Sequence, residues 1–218
     1  MTPFQKHITR RSALLGAAAL PFAAASVSPA FAAAEMLGAS TAKFNRVKLG
    51  SFEVTSLLAG TRTVPEPQSI FGMNATPEEF AQASSAAHIP TDKAQFFFTP
   101  TVVNTGEKLV LFDTGLNAGG ITGALSAAGY SPDQIDTVVL THMHGDHIGG
   151  MMNDGAPTFA NADYVTGAAE FNAWDMAGNE GFEANVRPMA EKMTMLGDGG
   201  SVVSGITAMA AFGHTPGH

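Results

Sequence analysis

The chain has 218 residues, 45% of them apolar, which is enough to build a core for one domain or two small ones. Its formal net charge of −8 argues against nucleic acid or an anionic membrane as partner, because both require a basic face. With no cysteine, disulfides, thiolate nucleophiles and sulfur ligands are excluded, so any metal must sit on nitrogen and oxygen.

At the N-terminus, Lys6, Arg10 and Arg11 precede an uncharged apolar run, "ALLGAAALPFAAA", and small residues then lead into "SPAFAAAE". This is the layout of a secretory signal peptide over residues 1–34, with Ala30 and Ala32, or Ala32 and Ala34, as the cleavage pair. The run is too short and too rich in Ala and Pro to span a membrane. "TRRSALL" resembles the twin-arginine signal, although Ala13 is small where that signal has a bulky residue. The mature chain is therefore expected to be exported, periplasmic or secreted. Removing three of the eleven basic residues leaves eight against nineteen acids, a net charge of −11.

Next, "FNRVKLGSFEVTSLLAG" predicts a β-hairpin turning near Gly50-Ser51. Residues 61–90 lose periodicity except for one helix that Thr76 can cap, with Pro77 in its first turn and Glu79 completing a capping box, so they read as an inserted segment. "QFFFTPTVVNTGEKLVLFDTG" predicts two strands turning at Asn104-Thr105-Gly106. Helix and strand then alternate. "ITGALSAAGY" is a helix stopping at Gly129, "SPDQI" a short helical turn, "DTVVLTH" a buried strand, "ADYVTG" a strand and "AAEFNAWDM" a helix. "FEANVRPMAEKMTML" predicts another helix and "GSVVSGITAMAAF" further strands ending at a histidine. The whole reads as one α/β domain over residues 35–218.

Three of the seven histidines fall within "THMHGDHIGG", residues 141–150. His142 and His144 are two apart, so in extended backbone their rings face the same way, and Asp146 and His147 follow a turn at Gly145. Neutral imidazole with carboxylate suits zinc, manganese or iron. An exposed polar loop is the competing reading, but it gives no reason for a buried strand to aim at the cluster. The small, flexible "IGG" beyond is read as easing entry into the next helix.

These residues resemble the metallo-β-lactamase superfamily signature His-x-His-x-Asp-His, with "LVLFDTG" upstream and "GHTPGH" downstream in that family's order. The resemblance implies an αββα sandwich with metals at one edge. It makes His142, His144 and His214 ligands of one metal, and Asp146 and His147 ligands of a second. Two divalent ions, zinc before manganese or iron, are implied. A metal-bound hydroxide would attack the substrate, while Asp146 orients it or protonates the leaving group. His218 falls to a supporting or structural role. Asp113 is implied to support the metal loop, although a turn-initiating Asp explains it equally well. The family's bridging Asp and last His follow "GHTPGH", and no acidic residue follows His214 here. The chain is therefore expected to be the N-terminal part of the sandwich, incomplete at its C-terminus.

"FANADYVTGAAEFNAW" is most similar to the branch holding methyl parathion hydrolase and acyl-homoserine lactonases, which implies lactone, ester or phosphotriester substrates. A small-molecule substrate is the expected partner, with a homodimer left open. Two other readings stay open: a mononuclear iron oxidoreductase resembling persulfide dioxygenases, and a non-catalytic metal binder. Trp174 reads as core rather than pocket wall, Phe96 to Phe98 as strand with a ring outward, His88 as solvated, and Met143 as close enough to touch a ligand.

Overall fold

The computed structural model describes residues 42–218, so the signal-peptide reading of residues 1–34 lies outside the described residues. The expected hairpin is β1 (Phe44–Leu49) and β2 (Phe52–Leu57), turning at Gly50, whose φ of 62° is in the left-handed region that glycine tolerates. After it come β3 (Gly60–Pro65), α1 (Pro77–Ala86), β4 (Lys93–Phe98), β5 (Thr101–Asn104), β6 (Leu109–Phe112), α2 (Ala118–Ala127) and β7 (Thr137–Leu140). The remainder is α3 (Gly145–Ile148), β8 (Met152–Asn153), β9 (Ala156–Pro157), β10 (Asp163–Gly167), α4 (Ala168–Ala177), α5 (Glu180–Asn185), β11 (Met193–Leu196), β12 (Ser201–Val203) and β13 (Ile206–Thr207).

Seven strands form one mixed sheet in the order β1-β2-β5-β6-β7-β10-β11. The first four pair antiparallel, whereas β6, β7, β10 and β11 run parallel. Side-chain alternation separates the two faces. Leu109, Leu111, Val138, Leu140 and Tyr164 point into the main core, where they meet Ile121 and Leu125 of α2, Phe171 of α4 and Phe182 of α5. Each large apolar side chain buried there contributes about 1.5–3 kcal/mol. Their neighbours Val110, Val139 and Val165 point the other way, against Leu196, Val202, Val203 and Ile206. Among the described residues, that face carries the β12–β13 hairpin over an apolar cleft of about 480 Å³. The architecture is thus α/β, one sheet with helices on one face, as one half of an αββα sandwich requires.

Three local expectations are corrected. Residues 60–65 form β3, paired antiparallel with β4 apart from the main sheet; only Val64 of this strand is buried, so it carries no apolar alternation to read. The run "QFFFTPTVVN" holds two strands, not one: Pro100 has no N–H for a ladder and restrains Thr99, so β4 ends and β5 starts in a different sheet. The helix expected over 182–196 stops at Asn185. A 3₁₀ segment, Arg187–Lys192, begins beside Pro188, and Met193–Leu196 becomes β11 alongside β10. The capping box at Thr76 and Glu79 is present, with bonds of 2.8 and 3.3 Å. No helix among the described residues is long and apolar enough to cross a membrane.

Candidate metal centre

Because β6, β7 and β10 are parallel, their C-terminal ends share one edge of the sheet. Asp113 follows β6, Thr141 and His142 follow β7, and α4 leaves directly from β10. Asp113 sits at φ 61°, a strained conformation for a non-glycine residue, held because its carboxylate accepts from three donors. Oδ1 takes Thr141 N at 2.9 Å, and Oδ2 takes Thr141 Oγ1 at 2.9 Å and His147 Nδ1 at 2.8 Å. Thr114 donates its N–H and its hydroxyl to the His147 carbonyl at 2.7 and 2.8 Å, and that hydroxyl accepts from Gly150 N at 3.1 Å. The loop is therefore pinned by side chains from β6.

The glycines of "IGG" do not lead into a helix. The helix is α3, four residues starting at Gly145, and the glycines end it. A Cβ on Gly149 or Gly150 would overlap the carbonyl of Leu116 or Thr114, so these glycines permit close packing rather than flexibility.

His142, His144 and His214 form the one group, among the described residues, that brings three ligand-type side chains within 4.8 Å of one another. His214 Nε2 lies 3.2 Å from His142 Nε2 and 3.1 Å from His144 Nδ1. Imidazole nitrogens bound tetrahedrally at about 2.0–2.1 Å stand about 3.3 Å apart, close to the spacing of His214 from each of the other two rings. Asp146 and His147 lie beside this group as a pair, Oδ2 to Nε2 at 3.4 Å, with the His147 ring centroid 3.7 Å from that of His142. With Nδ1 engaged by Asp113, His147 turns Nε2 towards Asp146, where a cation would have to displace its proton to bind it. The His218 ring stands 4.9 Å from His142 and 5.8 Å from His214.

The electrostatics of the metal-free protein suit cation capture at His142 and His144. Burial, reinforced by the positive His147 nearby, pushes His142 down to about 4. Burial and the neighbouring His214 also lower His144, so both rings hold free lone pairs at neutral pH. Burial opposes charge on His147 as well, but hydrogen bonds to Asp113 and Asp146 outweigh it and raise that ring to about 9. The same bond with His147 lowers Asp146.

Two readings are refined. Met143 is fully buried in the core, and what it sends towards the site is its backbone N–H. Trp174 packs against the core, yet its ring stands edge-on to His144 at 5.5 Å and lines a cleft with Pro216, so it serves both surroundings. Sequence reasoning missed Glu170. Its carboxylate is fully buried and accepts from Met143 N, Trp174 Nε1, Thr215 Oγ1 and Gly217 N at 2.7–3.0 Å. The available signal was one acid at the third position of the otherwise apolar start "AAEF".

The sequence matches the model of the metallo-beta-lactamase superfamily over residues 99–218. The chain belongs to that superfamily. Among solved structures it is similar to AidC, a dizinc quorum-quenching lactonase, with a TM-score of 0.69 and 24% identity over 80% of this chain and 68% of that one. Among curated proteins, the anti-Pycsar protein Apyc1 of Paenibacillus sp. (strain J14) is 37% identical over 57 residues, 26% of this chain and 22% of that protein. The exodeoxyribonuclease WalJ of Streptococcus pneumoniae serotype 2 (strain D39 / NCTC 7466) is 37% identical over 49 residues, 22% of this chain and 18% of that protein. The chain thus aligns with about a fifth of each curated relative's length.

Proposed function

We propose that this chain carries the metal centre of an exported hydrolase acting on lactones, esters or phosphotriesters with apolar groups. The observation that carries the reading is the meeting of His214 with His142 and His144, 3.2 and 3.1 Å away across 72 and 70 residues of sequence. His142, His144 and His214 would hold one divalent cation, and Asp146 and His147 a second, with zinc the metal best suited to the donors. Such cations polarise a carbonyl or phosphoryl oxygen and lower the pKa of bound water towards neutrality.

The protein's own groups divide the remaining work. Asp113 fixes His147 through Nδ1 and so aims Nε2. Asp146, 37% exposed and kept ionised by His147, is placed to orient a water or to receive and return a proton at its carboxylate. His218 lies close enough to support the histidine group without completing it. Trp174 and Pro216 offer an apolar wall next to His144 for the non-reacting part of a substrate. The likeness to AidC, named as a lactonase, supports a lactone substrate. WalJ, named as an exodeoxyribonuclease, adds nucleic acid to the substrates worth testing, although a net charge of −8 disfavours a polyanion.

The test is a metal-loaded preparation assayed on an N-acyl homoserine lactone, an aryl ester, an aryl dialkyl phosphate and single-stranded DNA, with oxygen uptake followed in parallel. Hydrolysis of a small neutral substrate, lost with chelator and independent of oxygen, is the expected result. Oxygen consumption with bound iron would favour the oxidoreductase reading instead. Export is tested separately, by fractionating cells that express the chain and its Arg10→Lys, Arg11→Lys variant.

A further inference from the structure

We propose that Glu170 is the positioning residue that locks the two metal-ligand segments together, setting the affinity of the histidine group for a divalent cation without touching the cation. The inference rests on the metal-centre reading above. Glu170 is the third residue of α4, and no part of it is exposed. Its Oε1 accepts from Met143 N at 3.0 Å, on the peptide between His142 and His144, and from Trp174 Nε1 at 2.7 Å. Its Oε2 accepts from Thr215 Oγ1 at 2.7 Å and Gly217 N at 2.9 Å, immediately after His214. One side chain therefore binds the backbones of both segments whose imidazoles must meet.

The fit is specific to a carboxylate. Four donors face two oxygens, and an amide in their place would turn its NH₂ against two of them. A buried charge is costly unless its hydrogen bonds are complete, and all four contacts here are at hydrogen-bond distance. The 213–218 segment also lies flush on the first turn of α4, since a Cβ on Gly217 would overlap the backbone of Ala169 and Glu170. Glu170 thus fixes where His214 arrives relative to His144.

The experiment titrates the full chain with Co²⁺, reading the visible d–d spectrum and the affinity by chelator competition. Glu170→Gln, Thr215→Val and Thr215→Ser are compared with wild type, and far-ultraviolet circular dichroism of the metal-free proteins reports the fold. Glu170→Gln is expected to bind Co²⁺ about 10–100-fold more weakly with an altered spectrum, the size of effect that supporting partners of ligands produce. Thr215→Val should weaken binding in the same direction, by about 10-fold, at unchanged circular dichroism, and Thr215→Ser should restore it. If Glu170→Gln does not fold, the Thr215 pair decides. Wild-type affinity and spectrum in folded Thr215→Val would overturn the role of Glu170 while leaving the metal centre intact. No Co²⁺ uptake by the wild type would overturn both.

Discussion

Asp113→Asn exchanges one oxygen for nitrogen and changes almost no volume, yet it acts where β6 holds the metal loop. Three donors meet the Asp113 carboxylate: Thr141 N at 2.9 Å, Thr141 Oγ1 at 2.9 Å and His147 Nδ1 at 2.8 Å. An amide can keep its oxygen on Thr141 N, which turns its NH₂ towards the other two. The Thr141 hydroxyl can rotate and accept, but the His147 ring loses the carboxylate whose hydrogen bond and charge help to raise it, and with it the charge-assisted bond. One hydrogen bond between charged groups is lost, worth about 1.5–3 kcal/mol. The side chains are 27% and 14% exposed, so solvent screens little of it. In a chain of this size about 2 kcal/mol lowers Tm by about 4–8 °C. Differential scanning calorimetry of the chelator-treated protein at neutral pH measures this. A Tm within about 1 °C of wild type would refute the assignment of Asp113 as the anchor of the loop.

Other consequences follow from the packing. Gly150→Ala places a methyl into the Thr114 carbonyl and 2.9 Å from Ile121 Cγ2, and should cost about 1–3 kcal/mol in urea denaturation. Gly145→Ala, which meets nothing within 4 Å, should be neutral or stabilising by up to about 1 kcal/mol in the same assay. Thr76→Ala removes the capping box of α1 and should cost about 1 kcal/mol, seen as faster amide exchange in Pro77–Ala86. Burial pushes the Tyr164 hydroxyl up to about 12. Its folded value is raised, so its stabilisation is complete below the ordinary value of 10.0 and is lost as pH rises through about 12. Absorbance at about 295 nm should show one tyrosine ionising only as the protein unfolds, and an ionisation at its ordinary value in folded protein would contradict this.

The parts legible in the sequence are those where chemistry and periodicity coincide. "DTVVLTH" announces both a buried strand and its destination, and the parallel pairing of β6 and β7 then places Asp113 beside His147. His214 was identifiable through its family resemblance, not through any local pattern, because its meeting with His142 is a long-range contact. What stayed hidden had no local signature. β3 is mostly exposed, so it shows no alternation. β11 followed a helical run that Pro188 ends. Glu170 has no local mark of its burial, because its four donors come from three separate segments.

The most direct test is X-ray absorption on the full chain loaded with one equivalent of zinc. Three imidazole nitrogens at about 2.0–2.1 Å are predicted in the first shell, falling to two in His214→Ala. A zinc shell made of water and carboxylate oxygen, or one that His214→Ala leaves unchanged, would contradict the convergence of residues 142, 144 and 214 on a single cation.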